Sequence, residues 1–131
     1  MNFAVPLNVK RKSVENTKVP IDIETEKQRN ELIRDNRIVV IKYSAVWCGP
    51  CQKITPEYRK MCNDDIQGVI YCEEDVDQEL EDIPEKIKTI PVFHIYVDGL
   101  FSTSTKGTNL QLLTNAINEI NKKIYYIIIL L

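Results

Sequence analysis

The sequence has few residues of the types that build disulfide frameworks and metal centres. Its 131 residues include four cysteines and one histidine, and small disulfide-rich proteins are far denser in cysteine. Zinc commonly takes ligands from two Cys-x-x-Cys pairs or from paired histidines, and neither pattern occurs here. The apolar run 124–131 has eight residues, whereas a membrane-spanning helix needs about 20. We therefore predict no metal site and no membrane span.

Charge of either sign is not in excess. Lys and Arg number 17 against 19 Asp and Glu, which argues against a nucleic-acid partner. The length suits one domain. We assign residues 19–123 to it, with 1–18 as a solvated N-terminal arm and 124–131 as an apolar C-terminal tail. Pro6 and Asn8 interrupt the apolar start of the chain, unlike in a secretory signal, and we expect a cytoplasmic location.

The chain is organised around residues 38–51. The β-branched run 38–41 predicts a buried strand, and apolar residues recur at helical spacing after the run: Ile54, Tyr58 and Met61. Cys48 thus lies where a strand leads into a helix, and unpaired N–H groups at a helix start favour an anion. A thiolate is such an anion and is the nucleophile of thiol–disulfide exchange. We predict that Cys48 and Cys51 cycle between dithiol and disulfide.

The segment Trp47-Cys-Gly-Pro-Cys51 resembles the active-site motif of the thioredoxin family. Residues 89–93, Thr-Ile-Pro-Val-Phe, resemble the cis-proline loop of that family, with Pro91 as the cis residue. The resemblance extends over about residues 19–123. It implies an α/β thioredoxin fold, in which helices flank both faces of a central mixed β-sheet of four to five strands.

The resemblance also implies the activity, that of a thiol–disulfide oxidoreductase that reduces protein disulfides. Cys48 is then the nucleophile and Cys51 the resolving thiol, which releases the reduced product. Trp47, Gly49 and Pro50 support the site, and Pro50 stiffens the first helical turn, where its missing N–H matters little. Such an enzyme holds no bound cofactor besides its redox-active disulfide. An external donor such as a thioredoxin reductase recycles it. The substrate-binding residues implied by the resemblance are Trp47, Ile90 and Pro91.

Lys42 departs from the family pattern. The family usually has a buried aspartate six residues before the nucleophile, and this aspartate helps to move the proton of the resolving cysteine. Glu73, on the neighbouring strand, aligns with a position that is lysine in many bacterial members. Because a buried lysine needs a partner, we hypothesise a charge-swapped Lys42–Glu73 pair beneath the active site. In the alternative, Lys42 extends to water and the proton moves through solvent.

Periodicity and turn residues predict the other elements. Thr25 is a helix N-cap, Pro56 should kink the active-site helix, and Asp98-Gly99 marks a hairpin turn. The predicted strands are 19–23, 38–44, 69–73, 92–97 and 100–105. The predicted helices are 25–36, 52–62, one within 74–88, and 110–123.

The apolar tail leaves three alternatives open. Residues 124–131 either continue the last helix and pack on the domain, or form a self-associating strand that makes a homodimer. Docking on a membrane surface is the least favoured, because the apolar run is short. Two rival functions also stay open: a thioredoxin-fold interaction or dimerisation module, and an oxidant or isomerase in a virion or viral assembly site. Three further residues are interpreted as ordinary buried or strand residues: Cys62, Cys72 and His94, although a regulatory Cys62–Cys72 disulfide also stays open.

Overall fold

The computed structural model describes residues 17–81, 83 and 86–131, so most of the predicted N-terminal arm lies outside the described part. The strands in this part are β1 (Ile21–Ile23), β2 (Ile38–Ser44), β3 (Ile70–Asp75), β4 (Val92–Val97) and β5 (Leu100–Lys106). The helices are α1 (Glu26–Asp35), α2 (Gly49–Lys53), α3 (Thr55–Asp64) and α4 (Leu110–Leu130), with a 3₁₀ turn at Val76–Gln78.

The strands form one mixed sheet in the order β1-β3-β2-β4-β5. β1 and β2 pair with β3 in parallel, whereas β4 is antiparallel to β2 and β5. β2 is central and six of its seven residues are buried, as its continuous β-branched run predicts. The predicted central mixed sheet is therefore confirmed, and the active-site segment leaves the end of its central strand.

Helices cover both faces of the sheet. On one face, α3 and α4 pack on a cluster that includes Val40, Tyr58 and Leu113. On the other face, α1 packs through Ile33 on a cluster that includes Val39, Tyr43 and Cys72. Successive strand residues point to opposite faces, so the three inner strands β2, β3 and β4 contribute to both clusters. We call these the α3 face and the α1 face.

The kink predicted at Pro56 is confirmed, and one other helix prediction needs correction. The active-site helix is divided in two at Ile54, because Pro56 cannot donate to the carbonyl of Gln52 and its ring crowds that turn. The helix predicted within 74–88 is wrong for the described residues there, whose only helical element is the 3₁₀ turn. The turn ends at Glu79 in a left-handed conformation (φ 53°), and a left-handed residue does not continue a helix.

The last helix continues into the apolar tail, so the strand alternative is wrong, and the alternative of a helix packed on the domain is confirmed only as far as Ile124. α4 has no break at residue 124, and Ile124 packs on the α3-face cluster. Beyond it, the large apolar side chains are each more than half exposed: Tyr125, Tyr126, Ile127, Ile128, Ile129, Leu130 and Leu131. No helix in the described part of the chain is long and apolar enough to cross a membrane.

Candidate active site

The cysteine pair lies at the start of α2, directly after the central strand. Cys48 is the N-cap residue, with extended backbone (φ −84°, ψ 104°). Its Sγ accepts a hydrogen bond from the backbone N–H of Cys51 at 3.2 Å. Pro50 is in the first turn of the helix, where no intrahelical donor is lost. An N–H directed at the sulfur of Cys48 favours its anionic form, and the geometry suits a thiolate nucleophile.

The two cysteines differ in their access to solvent. Their sulfurs are joined in a disulfide, and their Cα atoms are 5.3 Å apart, a common separation for a disulfide. Cys48 is 6% exposed, whereas Cys51 is fully buried. An incoming disulfide therefore meets Cys48, and Cys51 is placed to attack Sγ of Cys48 once that sulfur is bound to a target.

Trp47 forms an exposed apolar surface beside the pair. Its side chain is 69% exposed, and its indole Nε1–H donates to Oδ2 of Asp77 at 2.9 Å. Asp77 is itself held by the 3₁₀ turn, because its backbone N–H donates to Oδ1 of Asp75 at 2.8 Å. The ring is thus fixed in orientation while its face stays available to a bound chain.

The segment that precedes β4 forms the other side of the site. The Ile90–Pro91 peptide bond is cis, as the resemblance predicts, and Ile90 packs against the small cluster of Ala45, Cys48 and Cys51. A groove of about 650 Å³ runs from Trp47 and Ile90 along described residues of the segment between β3 and β4. The structure therefore brings the predicted substrate-binding residues Trp47 and Ile90 together around the exposed edge of Cys48.

Lys42 and Glu73 lie beneath the pair, on the α3 face. Their Nζ and Oε1 atoms are 3.8 Å apart, within ion-pair distance. Nζ of Lys42 donates to Oγ1 of Thr55 at 2.9 Å, and that hydroxyl donates to the backbone carbonyl of Cys51 at 3.1 Å. The lysine is therefore connected to Cys51 through one side chain and the backbone.

Burial governs the charge state of Lys42. Its side chain is 1% exposed, and this desolvation lowers the pKa of Lys42, while the nearby Glu73 carboxylate partly offsets the effect. The Glu73 side chain keeps 20% of its surface exposed, although its buried Oε1 has no hydrogen-bond partner among the described residues. Lys42 does not extend to water, so the alternative in which it does is wrong.

The other reactive residue types lie outside the site. Cys62 and Cys72 are free and buried, and they belong to the clusters on opposite faces of the sheet, so the hypothesis of a Cys62–Cys72 disulfide is wrong. Burial raises the pKa of Cys72 to about 12 and lowers that of His94 to about 4. The described residues contain no cluster of three or more His, Cys, Asp or Glu that could hold a metal ion.

A second buried ion pair, which the sequence did not predict, joins Arg29 and Glu74 on the α1 face. Arg29 Nε and Nη2 donate to the two carboxylate oxygens of Glu74 at 2.8 and 3.0 Å. A signal was present, since Arg29 is four residues before the buried Ile33 on one helix face, and Glu74 is two residues after the buried Cys72 on one strand face. The spacing therefore places the charged side chains of both Arg29 and Glu74 on faces that point into the core.

The family model and the related sequences that match this chain all belong to one family. The Thioredoxin family model matches residues 20–119. Thioredoxin of Ictalurus punctatus is 37% identical over 87 residues, which cover 64% of this chain and 80% of that protein. Thioredoxin of Mus musculus is 34% identical over 86 residues, which cover 64% of this chain and 80% of that protein.

Solved structures give the same fold. The crystal structure of thioredoxin from Trypanosoma brucei brucei matches with a TM-score of 0.72 at 24% identity, over 81% of this chain and 94% of that one. Thioredoxin from Malassezia sympodialis matches with a TM-score of 0.70 at 26% identity, over 78% of this chain and 90% of that one. The five-stranded sheet and its flanking helices therefore have the thioredoxin fold.

Proposed function

The chain belongs to the thioredoxin family and is a thiol–disulfide oxidoreductase; from this premise we propose that it acts as a reductant of protein disulfides, with Cys48 as the attacking thiol. The observation that supports this order of attack is the pair of exposures, since Cys48 has an open edge and Cys51 has none. The Gly-Pro spacer supports reduction over oxidation, because members of the family that act as reductants have this dipeptide between their cysteines. The substrates are disulfide-containing proteins.

The reaction proceeds in two exchange steps. The Cys48 thiolate attacks one sulfur of the target disulfide, and the other target sulfur leaves as a thiolate and takes up a proton. Cys51 then loses its proton and attacks Sγ of Cys48, which releases the second target thiol. The target gains two electrons and the Cys48–Cys51 pair becomes a disulfide. An external dithiol donor, for which we propose a thioredoxin reductase, restores the reduced pair.

The order of attack can be tested by trapping. In Cys51→Ser the second step cannot occur, so a reduced variant should accumulate a mixed disulfide with its target on Cys48. Cys48→Ser is the matched control and should trap nothing, because Cys51 is buried. Intact-mass measurement after mixing with a disulfide-bridged protein reads both results. Equal trapping on Cys51 in the control would reject Cys48 as the nucleophile.

The direction of the reaction can be tested by equilibrium titration with reduced and oxidised glutathione. Trp47 fluorescence reports the state of the pair, since the ring is adjacent to it. A strongly reducing pair would support the proposed reductant. A strongly oxidising pair would instead favour the oxidant or isomerase, and the absence of any redox transition would favour the interaction module.

We further propose that Lys42 and Glu73 assist the second exchange step. The Lys42 ammonium lies one hydroxyl away from the Cys51 backbone, and a cation there favours the Cys51 thiolate. Glu73, which is partly exposed, is placed to pass the proton from this buried region to solvent. The 3.8 Å separation of the pair supports an electrostatic role, and its pH dependence is the test.

One further proposal concerns the location of the enzyme. We propose a cytoplasmic location, because a reductant needs a compartment that keeps thiols reduced, and Cys62 and Cys72 are free thiols. Imaging of a tagged chain in its source cell would test it. A virion or viral assembly site is the alternative location.

The exposed end of α4 favours a second candidate function, that of a dimerisation module. Seven consecutive large apolar side chains project beyond the core there, from Tyr125 to Leu131, and exposed apolar patches of this kind mark interaction sites. We propose that two copies pair through this segment. Deletion of residues 125–131 should then convert a dimer into a monomer in light scattering. A parent chain that is already monomeric would reject the proposal.

A further inference from the structure

A small cavity lies on the α1 face, between β5 and the segment that precedes β4. Its volume is about 150 Å³. This is well below the roughly 300–1,000 Å³ of sites for drug-sized ligands, and larger than the roughly 30 Å³ that one water molecule occupies. The size therefore suits a small polyatomic ligand. We call this space the β5 cavity.

The pairing of β4 with β5 brings polar groups together in the β5 cavity. His94 is directly opposite Ser104 in the antiparallel register, and Val92 is directly opposite Lys106. Opposite residues of two paired strands present their side chains on the same face of the sheet, and residues two apart on one strand share a face. All four residues therefore lie on one face, and all four line the cavity.

The charge around the β5 cavity is of one sign. Three lysines line it, Lys86 and Lys88 from the segment before β4 and Lys106 from β5, and all three are exposed. Among the described residues, no Asp or Glu lines the cavity, and none of these lysines takes part in an ion pair. A cleft lined by charges of one sign concentrates ions of the opposite sign, so the cavity favours an anion.

His94 gives a second and independent indication of a ligand. Its side chain is 1% exposed and lines the cavity, and its Nδ1 is buried without a hydrogen-bond partner in the described part of the chain. A buried polar atom without a partner costs free energy, and native proteins contain few of them. A neutral imidazole has one N–H donor and one acceptor nitrogen. An oxygen-rich ligand in the cavity would give this ring the partner that it lacks.

The remaining polar groups match a tetrahedral oxyanion. Thr89 and Ser104 also line the cavity, and their hydroxyl groups can donate to anionic oxygens. Lysine ammonium groups form charge-assisted hydrogen bonds with phosphate. We propose that the β5 cavity is a binding site for a phosphate group, which belongs either to free phosphate or to a small phosphate monoester.

The site is distinct from the groove beside the cysteine pair. Val92, His94, Ser104 and Lys106 line the β5 cavity, and none of them lines the groove. Neither cysteine lines the cavity. The inference therefore goes beyond the proposed reduction of disulfides, and its test uses the oxidised protein without any target.

His94 is the only histidine in the sequence, so the NMR signal of its ring Cε1–H reports directly on the cavity. Inorganic phosphate is added to the protein in exchange for chloride, at constant pH and constant ionic strength. The His94 signal should shift and saturate with a dissociation constant of about 1 mM or below, as suits a few charge-assisted hydrogen bonds in an open cavity. A shift that grows linearly without saturation, or no shift, would overturn the site.

A parallel titration with glycerol 2-phosphate distinguishes the two sources of the phosphate group. Comparable affinity for both ligands would show that the site accepts a phosphate monoester. Binding of inorganic phosphate alone would assign the cavity to the free ion. Either result supports the proposal, whereas saturation by neither ligand would reject it.

Three variants and one control test which residues bind the phosphate. Lys88→Gln and Lys106→Gln each remove one charge at an exposed position, and each should weaken binding by about fivefold, the upper contribution of an exposed ion pair. Ser104→Leu keeps every charge and fills the space opposite His94, so binding should be lost. Lys123→Gln is the matched control, because Lys123 is exposed on α4 and does not line the cavity.

Thermal unfolding without phosphate checks that each variant is folded as the parent is. Lys123→Gln should keep the affinity of the parent. An equal loss of affinity in Lys123→Gln, or full affinity in Ser104→Leu, would show that phosphate is attracted by surface lysines in general. Either of these results would overturn the proposed site.

Discussion

The two buried ion pairs involve adjacent residues of β3 and yet differ in almost every respect. Glu73 faces the α3 side and meets Lys42 at 3.8 Å, while its Oε1 has no hydrogen-bond partner among the described residues. Glu74 faces the α1 side and receives two hydrogen bonds from Arg29, at 2.8 and 3.0 Å. The first pair is loose and reaches water through Glu73, and the second is closed and dry.

This difference follows from the chemistry of the two cations. An arginine presents a rigid fork that matches a carboxylate, whereas a lysine presents a mobile point charge that changes its protonation state more readily when buried. The Arg29–Glu74 pair is suited to hold a position. The Lys42–Glu73 pair is suited to respond to a change of charge at Cys51, to which Lys42 is connected through Thr55.

The largest effect is expected when the closed pair is broken on one side. Glu74→Ala leaves the Arg29 guanidinium buried without its carboxylate, and it should lower the free energy of unfolding by roughly 3–5 kcal/mol. Urea denaturation monitored by circular dichroism measures this change. Arg29→Met combined with Glu74→Leu is the control and should recover most of the loss, because no unpaired charge remains. A single variant as stable as the parent would contradict the closed-pair description.

The sequence predicted well what local pattern determines. The β-branched run of β2, the turn at Asp98-Gly99 and the N-cap Thr25 each depend on neighbours within a few positions, and the structure contains all three elements. The Cys48–Cys51 pair was found for the same reason. Between distant positions, the Lys42–Glu73 pair was hypothesised only because the family resemblance pointed to it, and the Arg29–Glu74 pair, which spans 45 residues, was missed.

Wrong predictions also have a tertiary cause. The acidic segment after β3 has helix-forming residues, but contacts from Glu26 and Arg29 hold the backbone of Glu81, and such contacts override a weak local preference. The tail shows the opposite error, because the strand that was considered for it is a helix. Its isoleucines and tyrosines favour strand, yet it is helical because α4 has already formed from Leu110 and continues one residue at a time.

The next largest effect is a pH dependence of stability, which depends on the exclusion of water from the α1 face around His94. His94 lies there among Tyr43, Tyr96 and Phe101, and burial lowers the pKa of His94 to about 4 from 6.5. Between pH 6.5 and pH 4, His94 binds a proton in the unfolded chain but not in the folded chain. The free energy of unfolding should therefore fall as the pH falls toward 4, by up to about 3 kcal/mol.

His94→Phe supplies the comparison for this measurement. It keeps an aromatic ring at the position and removes the titrating group, so the parent should lose stability relative to it between pH 7 and pH 4. Urea titrations at half-unit pH intervals would show the difference. Parallel curves for the two proteins would mean that water reaches His94 and that the two faces are less different than described.

A smaller stability effect is expected for the loose pair. In Lys42→Met no fully buried charge is left, because Glu73 keeps contact with water, and the free energy of unfolding at pH 7 should change by about 1 kcal/mol or less. Burial lowers the pKa of Lys42 below 10.5, so the unfolded chain binds the extra proton in the pH range between the two values. The parent should therefore gain stability relative to Lys42→Met as the pH rises toward 10.5, and a difference that is constant with pH would contradict this.

The last comparison separates charge from proton transfer at the loose pair. If the Lys42 cation favours the Cys51 thiolate, Lys42→Ala should move the pH profile of target release to higher pH, by about one unit or less. Glu73→Ala removes an anion and should move the profile to lower pH if Glu73 acts by its charge. If Glu73 instead carries the proton, the rate should fall across the whole range without a shift. Stopped-flow measurement of release from the mixed disulfide, with Lys53→Ala as an exposed-lysine control, distinguishes these results. Profiles identical to the parent in both variants would leave the pair with no role in the exchange, because neither its charge nor its proton would then reach Cys51.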